Sequence, residues 1–447
     1  MSEPRTIVDL ARALRERRLT AVSATSACLA AIQAGNPSIN AFITVLGEQA
    51  LADAARADEE LAGGCDRGPL HGVPVALKDL IDVAGVPTTA ASSVRRAHVA
   101  SADAPVVTRL REAGAVILGK NNLHEFAFGT TNEDSAFGLV RHPLDPTRSP
   151  GGSSGGSAAA VLAGMAYAAI GTDTGGSIRI PSAACGLVGL KPTLGEIPTE
   201  GVVPLSTTMD HVGPICRSVA DARLVYDVLR GAPPTAGQAR DVASLRLGVP
   251  GGYVRERLDE EVLARFDRAC ERLRAAGVGL EPVVIPHLAD APAIYLHIVL
   301  AEAAAYHAVT LEHTPDAYTP NVRLRLEMGR YVLAEDYVRA LRGRQVLAAE
   351  VEAALDGHDG LLLPTLAMPA VPLGTATVRV GAHDEPVRTI SMRLTQPFNL
   401  SGHPAITMPC GATSAGLPVG AQLVGRRQAT PALLAVAAAM EPVLSQP

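Results

Sequence analysis

Lysine is almost missing from this chain: Lys78, Lys120 and Lys191 are the only three among 39 basic side chains. Arginine stays protonated in proteins, whereas a desolvated lysine gives up its proton, so a lysine kept in an arginine-dominated sequence invites a chemical reason; codon bias is the bland alternative. Paired cysteines are missing too. Cys28, Cys65, Cys185, Cys216, Cys270 and Cys410 show no CxxC spacing, which argues against a structural zinc site, and a chain of 447 residues needs no disulfide framework. Reduced thiols are the simpler expectation. Charge runs of one sign are absent: net charge is −6, and RERR at 15–18 reads as a solvated helix face, so nucleic acid is not an expected partner. The opening MSEPRTIVDLARALRERR has no apolar core of the signal-peptide kind, and the longest apolar run, Ala158 to Ile170, is shorter than the roughly 20 residues that span a bilayer. A soluble cytoplasmic protein without membrane attachment is the expectation. No internal repeat interrupts the sequence, and no Pro/Gly/Ser linker divides it.

What is present supports a sizeable core: 47% of residues are hydrophobic and 19% charged. Thr6 with Asp9 suggests a capped helix over Ile7, Leu10, Ala11 and Leu14. Further helices are expected at 21–34, ending at Gly35, and at 47–62, so the first seventy residues read as helical packing. VPVALKD then reads as a strand delivering Lys78. A helix at 103–113, the strand AVILG, a helix at 218–230 capped by Ser218, the strand LRLGVP, a helix at 258–276 and the strand VVI at 283–285 follow. Helices are expected over most of 291–355, then strands LLLP, AITMP and GAQLV and a final helix from Pro431. Strands alternating with helices along the whole chain predict an α/β architecture with one central sheet.

Two glycine-serine clusters stand out in residues 148–191, RSPGGSSGGSAAAVLAGMAYAAIGTDTGGSIRIPSAACGLVGLK. Side-chain-free runs such as Gly151-Gly152 and Gly175-Gly176 let backbone N–H groups converge on an incoming atom. Flexible linkers have similar composition, yet a linker does not enclose a strongly apolar segment. GGSSGG satisfies G-x-S-x-G, but that motif needs a hydrophobic strand before it, and here RHPLDPTRSP precedes. No Gly-Lys-Ser/Thr follows, which excludes a phosphate-binding loop. The long match GGSSGGSAAAV with GTDTGGSIRIPSAACGLVGLKPT resembles the amidase signature family of serine hydrolases. It extends through HGVPVALKDLIDVAGVPTTA, LHEFAFGTTNEDSAFGLVRHPLD, MDHVGP, PFNLSGHPAITMPCG and LPVGAQLVGRR.

The resemblance implies a single large domain with a central mixed β-sheet covered by helices on both faces. It divides the chain into a helical part (1–65), a signature core (66–220), a variable substrate-side region (221–355) and a closing segment (356–447). Lys78 falls on the family's catalytic lysine, Ser177 on its nucleophile and Ser153 on the bridging serine. Serine needs a base to become nucleophilic. Neutral Lys78 would take a proton from Ser153, which takes one from Ser177, and the reverse relay would protonate the leaving amine. Burial must lower the lysine pKa for this to work. Backbone N–H groups of Thr174, Gly175, Gly176 and Ser177 are expected to form an oxyanion hole, with Asp173 and Arg179 shaping the loop. Ala127, Phe128 and Gly129 are expected to line the acyl side of the pocket, supported by Asn132 and Ser135. His124, His142, His211 and His403 have no metal-ligand spacing and read as structural, and Cys185 reads as a buried thiol. Leu144 and Glu196 depart from the family pattern; the first is expected to alter packing, the second entrance charge or substrate choice. The implied enzyme is a cofactor-free and metal-free amidase that cleaves a small carboxamide to carboxylate and ammonia, as a homodimer by family analogy. Alternatives are the glutaminase subunit of a tRNA-dependent amidotransferase and a hydrolase of urea-like compounds such as allophanate or carboxybiuret, although no carboxylate-binding arginine is evident in the sequence.

Overall fold

Thr6 accepts the Asp9 N–H at 3.1 Å and starts the helix Ile7–Arg15, which buries Ile7, Leu10, Ala11 and Leu14 as their spacing predicts. The computed structural model describes residues 4–232 and 239–446. Its strands are β1 (Phe42–Val45), β2 (Pro74–Lys78), β3 (Val116–Asn121), β4 (Ala168–Asp173), β5 (Val188–Lys191), β6 (His211–Cys216), β7 (Arg246–Pro250), β8 (Gly279–Val283), β9 (Gly360–Pro364), β10 (Thr377–Val380), β11 (His383–Pro386), β12 (Ala405–Ala412) and β13 (Pro418–Val424). Eleven of them form one sheet in the order β1-β3-β2-β4-β6-β5-β12-β13-β9-β7-β8, while β10 and β11 make a separate hairpin. The sheet is mixed. Strand β2 runs parallel to both β3 and β4, and β7 runs parallel to β8 and β9, whereas β4, β5, β6, β12 and β13 are joined by antiparallel pairs. Helices flank it, giving the single α/β domain that the alternation of elements predicts.

Several boundaries differ from the sequence reading for identifiable reasons. The second helix runs over Ala21–Ile39, through Gly35 and Pro37, and stops at Asn40 in the left-handed conformation. Gly35 is no terminator: a Cβ there would lie 2.6 Å from Met165 Cε, so the glycine serves close packing. Residues 42–45 are a strand inside the supposedly helical N-terminal part, held by antiparallel pairing of FITV to β3. The apolar segment from Ala158 to Ile170 divides between the helix Gly155–Leu162 and β4, turning at Gly164 with φ 75°. The strand expected at 283–285 lies earlier, at Gly279–Val283, in register with β7 from Arg246↔Gly279 to Pro250↔Val283. Short strands β5 and β6, with glycine and proline in their sequences, gave no pattern to read. The helical stretch Leu288–His313 is long and apolar enough to cross a membrane, yet its Tyr295, Ile298, Val299, Ala303 and His307 are buried, and its main helix, Ala291–His313, packs on the helices Pro320–Gly329 and Ala334–Ala354.

Candidate active site

Parallel neighbours β2 and β4, with Leu77 opposite Ile170, deliver their C-terminal residues to one place. There β2 ends in Lys78, and β4 contributes Thr172 and Asp173. Every residue of β2 is buried, so the lysine arrives in an environment with no water to hold its charge. Lys78 Nζ donates to Ser153 Oγ at 2.8 Å and to Thr172 Oγ1 at 2.7 Å, and to no other described residue. Desolvation lowers its pKa from 10.5 to about 7, against the opposing charges of Asp173 and Asp210.

The other two lysines are buried to the same degree and differ in their partners. Lys120 pairs with the Asp79 carboxylate at 2.9 Å and also donates to Thr88 Oγ1. Lys191 donates to the His403 carbonyl at 2.6 Å, the Pro192 carbonyl at 3.1 Å and His211 Nε2 at 3.1 Å. Lys78 is thus the one that meets hydroxyls alone.

Ser153 follows a cis Gly152-Ser153 peptide and precedes the helix Gly155–Leu162. Its surroundings are fixed from three sides: its carbonyl accepts the His124 N–H at 3.1 Å, the Ser154 N–H donates to the Ser177 carbonyl at 3.2 Å, and Ser154 Oγ donates to the Thr172 carbonyl at 3.2 Å. Asn132 Oδ1 accepts the Gly155 N–H at 2.9 Å, so Asn132 supports this helix start rather than the 127–129 segment. Ser135 likewise acts elsewhere, donating to Asn122 Oδ1. Lys78 and Ser153 are fully buried while Ser177 keeps 6% of its surface, an ordering that sets Ser153 inside and Ser177 toward the solvent side.

The Ser177 loop is anchored by one ion pair. Asp173 accepts hydrogen bonds from the Gly176 N–H at 2.8 Å, the Ile178 N–H at 3.2 Å, Arg179 Nε and Nη2 at 3.0 Å each, and Asn399 Nδ2 at 2.7 Å. Arg179, fully buried, also donates to the Thr395 carbonyl at 3.0 Å, Gln422 Oε1 at 2.5 Å and Asn399 Oδ1 at 2.6 Å. Burial pushes the Asp173 carboxyl up, but the Arg179 charge and its hydrogen bonds, helped by Lys191 and Asn399, hold it well below the usual range. Asp210 accepts from Thr174 Oγ1 at 2.5 Å and from the Leu205 N–H at 2.9 Å. Burial raises it to about 6 against those bonds and the Lys78 charge.

One expected oxyanion donor is committed elsewhere: the Gly176 N–H is already taken by Asp173, leaving those of Thr174, Gly175 and Ser177, which donate to no described residue. The glycines are sterically required. A Cβ on Gly175 would lie 2.6 Å from Tyr295 Oη, and one on Gly176, at φ 133°, would lie 2.2 Å from Thr395 Oγ1. In the 127–129 segment the Ala127 and Phe128 N–H groups bond back to His124 and Glu125, and the Phe128 carbonyl accepts Arg325 Nη1 at 2.7 Å. The Ala127 and Gly129 carbonyls and the Gly129 N–H bond to no described residue, so part of the backbone of this segment remains available.

The remaining candidates resolve as structural groups. His211 shares Nδ1 with the Met209 and Asp173 carbonyls, His142 Nε2 meets the Ala184 carbonyl, His403 pairs with Glu352 and His124 with Asp134. Cys185 is a free buried thiol whose pKa burial raises. Glu196 accepts from Tyr226 Oη at 3.0 Å and Thr430 Oγ1 at 2.5 Å, fastening the C-terminal helix Thr430–Leu444 rather than charging an entrance. Leu144 is 58% exposed and packs little. Among the described residues no group of His, Cys, Asp and Glu is arranged to hold a metal ion. Thr172, Asp210, Tyr295, Thr395, Asn399 and Gln422 were missed from sequence. Thr172 and Asp210 lie inside the motifs, while the other four reach the loop from more than a hundred residues away.

A family model described as Amidase matches residues 23–434. The A subunit of a glutamyl-tRNA(Gln) amidotransferase from Geobacter metallireducens is 38% identical over 98% of this chain and 96% of its own. An amidase from Pseudomonas putida is 41% identical over 92% of this chain and 90% of its own. Among solved structures, one described as an amidase superposes with a TM-score of 0.93 at 38% identity, covering 98% of this chain and 99% of that one. With a family model that matches most of the chain and relatives that match nearly its whole length, the chain belongs to the amidase signature family of amide-bond hydrolases.

Proposed function

We propose that this chain hydrolyses a small carboxamide to a carboxylate and ammonia through an acyl-enzyme on Ser177. The carrying observation is Lys78: a fully buried lysine, lowered to about 7, whose ammonium nitrogen meets only the hydroxyls of Ser153 and Thr172. Once neutral, Nζ accepts the Ser153 proton while still donating to Thr172. Ser153 in turn takes the Ser177 proton, and Ser177 Oγ adds to the carbonyl carbon. Negative charge then develops on the carbonyl oxygen beside the free N–H groups of the Thr174–Ser177 loop, each such donor being worth roughly 3 kcal/mol. The proton returns from Lys78 through Ser153 to the amide nitrogen, the C–N bond breaks, and ammonia leaves. Water repeats the sequence on the ester: it gives its proton to the relay, displaces Ser177 Oγ and releases the acid. A cytoplasmic setting and a homodimer belong to the same proposal.

Similarity to the A subunits of amidotransferases favours a second reading, in which glutamine is the amide and a partner protein receives the ammonia. The test is ammonia release by the chain alone from aliphatic, aromatic, amino-acid and urea-type amides, beside Ser177→Ala. Release that disappears in the variant is the expected result. Release from glutamine only, and only with the other amidotransferase components added, would favour the second reading, and release equal in both proteins would overturn the mechanism.

A further inference from the structure

Arg388, on the short helix Val387–Met392, has no counter-ion. Its Nε is buried without a partner, and the side chain makes no hydrogen bond or ion pair with a described residue. Two other arginines near this helix do have carboxylate neighbours. Arg393 donates to the Tyr253 carbonyl at 2.8 Å and lies 3.6 Å from Glu256, and Arg257 pairs with Glu385. A desolvated guanidinium without an anion is costly, so it needs an explanation that an ordinary surface arginine does not.

Its surroundings link it to the reacting loop. The Arg388 Cζ atom lies 5.6 Å from the centroid of Phe128, in the segment expected on the acyl side, and Arg325 approaches the same ring at 5.8 Å. Desolvation, followed by the Arg388 charge, lowers Arg325 to about 10, so two cations share one half-buried place with no carboxylate in ion-pair distance of either among the described residues. Tyr295 closes the triangle. Its hydroxyl packs where a Gly175 side chain would be, lies within electrostatic reach of Arg388, and donates to no described residue. An unpaired guanidinium beside Phe128 and an unpaired hydroxyl beside Gly175 therefore stand next to the two segments expected to hold the substrate. A planar fork of donors suits a carboxylate, and a hydroxyl donor in the same region can add to it.

We propose that Arg388 and Tyr295 bind a carboxylate on the acyl part of the substrate, so that the natural amide is the monoamide of a short dicarboxylic acid. This rests on the hydrolase reading above and names its substrate class. Arg325 contributes a second positive charge. Because its Nη1 is already held by the Phe128 carbonyl, it attracts the anion without being the main ligand.

The test compares kcat/KM for succinamate, glutaramate and adipamate with the neutral amides of butyric, valeric and hexanoic acid. The wild-type chain should prefer one anionic member over its neutral counterpart. Arg388→Met should reduce that preference about 100-fold, chiefly through KM, as expected when a charge-assisted bidentate contact is lost, and Arg388→Lys should recover part of it. An absent preference, or one that Arg388→Met leaves unchanged, overturns the proposal while the hydrolase reading stands. Succinamate and its two homologues are also titrated calorimetrically into Ser177→Ala, which cannot turn them over, and into Ser177→Ala with Arg388→Met. Binding of one of them that depends on Arg388, in a protein whose active form hydrolyses no amide, would support the anion site and sink the hydrolase reading. Equal binding in both proteins, or none in either, counts against the anion site.

Discussion

Replacing Lys78 by arginine keeps a positive charge at the end of β2 and removes the capacity to be a base. Burial takes the lysine from an ordinary 10.5 to about 7. At about pH 7.5 roughly three in four molecules then carry the neutral amine, against about one in a thousand without the shift. An arginine, with a pKa near 13 in water, has a neutral fraction of about one in a million under the same conditions. Base-assisted turnover should thus fall by at least about 10⁴-fold in Lys78→Arg, to whatever the oxyanion donors and binding sustain alone. The assay is steady-state ammonia release with the preferred amide, run as a pH series. In the unaltered chain log kcat/KM should rise with a slope near one and level off above about 7, where Lys78 loses its proton. Measurable activity above about 1% in Lys78→Arg, or an acidic limb centred near 10, would refute the argument, because either result means that the free amine at position 78 is not the proton acceptor.

The carboxylates around Lys78 raise its pKa by favouring the ammonium form, so Asp210→Asn should move the acidic limb of kcat/KM to lower pH; a shift to higher pH would contradict the charge assignment. Arg179→Met strands the Asp173 carboxylate in a fully buried site and should cost about 3–5 kcal/mol in urea unfolding, with part regained when Asp173→Asn is added. Lys78→Met should stabilise the protein by a few kcal/mol below about pH 7, where the wild-type lysine is charged in both the folded and unfolded states and only the folded state bears the burial penalty. The sign is fixed by proton counting. Between about 7 and 10.5 the unfolded chain binds more protons, so wild-type stability climbs with pH and the advantage of the variant, read from urea midpoints, should vanish at alkaline pH.

How much of this was readable from the sequence depends on whether a residue acts locally or across the fold. The three lysines were conspicuous by rarity, and the buried run VPVALK predicted a strand that ends at Lys78. Local signals also gave the caps at Thr6 and Ser218 and the helices that follow them. The Gly175-Gly176 pair announced a close backbone approach but not which N–H groups remain free. That answer depends on the reach of the Asp173 carboxylate, and it removed Gly176 from the expected set of oxyanion donors. Nothing local distinguishes Thr395, Asn399 or Gln422 from other polar residues, since they become neighbours of Arg179 only when β13 and the short helix Gln396–Leu400 are folded against the loop. Arg388 is the extreme case. Among so many arginines it carried no mark in the sequence, and only burial of its Nε in the folded chain, with no hydrogen bond or ion pair to a described residue, sets it apart.

The same accounting explains why this site can hold a neutral amine beside two acids. Asp173 acts on Lys78 only from a distance: its oxygens are held by Arg179, Asn399 and loop N–H groups, and its charge raises the lysine pKa without undoing the effect of burial. Asp210 is raised to about 6 and tied to Thr174 and the 205–206 backbone. Neither carboxylate comes within ion-pair distance of Lys78 among the described residues, whereas Lys120, buried to the same extent, has Asp79 at 2.9 Å and is held as part of an ion pair. Burial alone therefore does not make a base. Burial lowers the pKa, and the choice of partners, hydroxyls in place of carboxylates, decides whether the lone pair is free to take a proton. Lys191 is lowered by burial too and faces no carboxylate, but its partners are two carbonyls and His211 Nε2, so of the three lysines only Lys78 faces a serine hydroxyl with which it can exchange a proton.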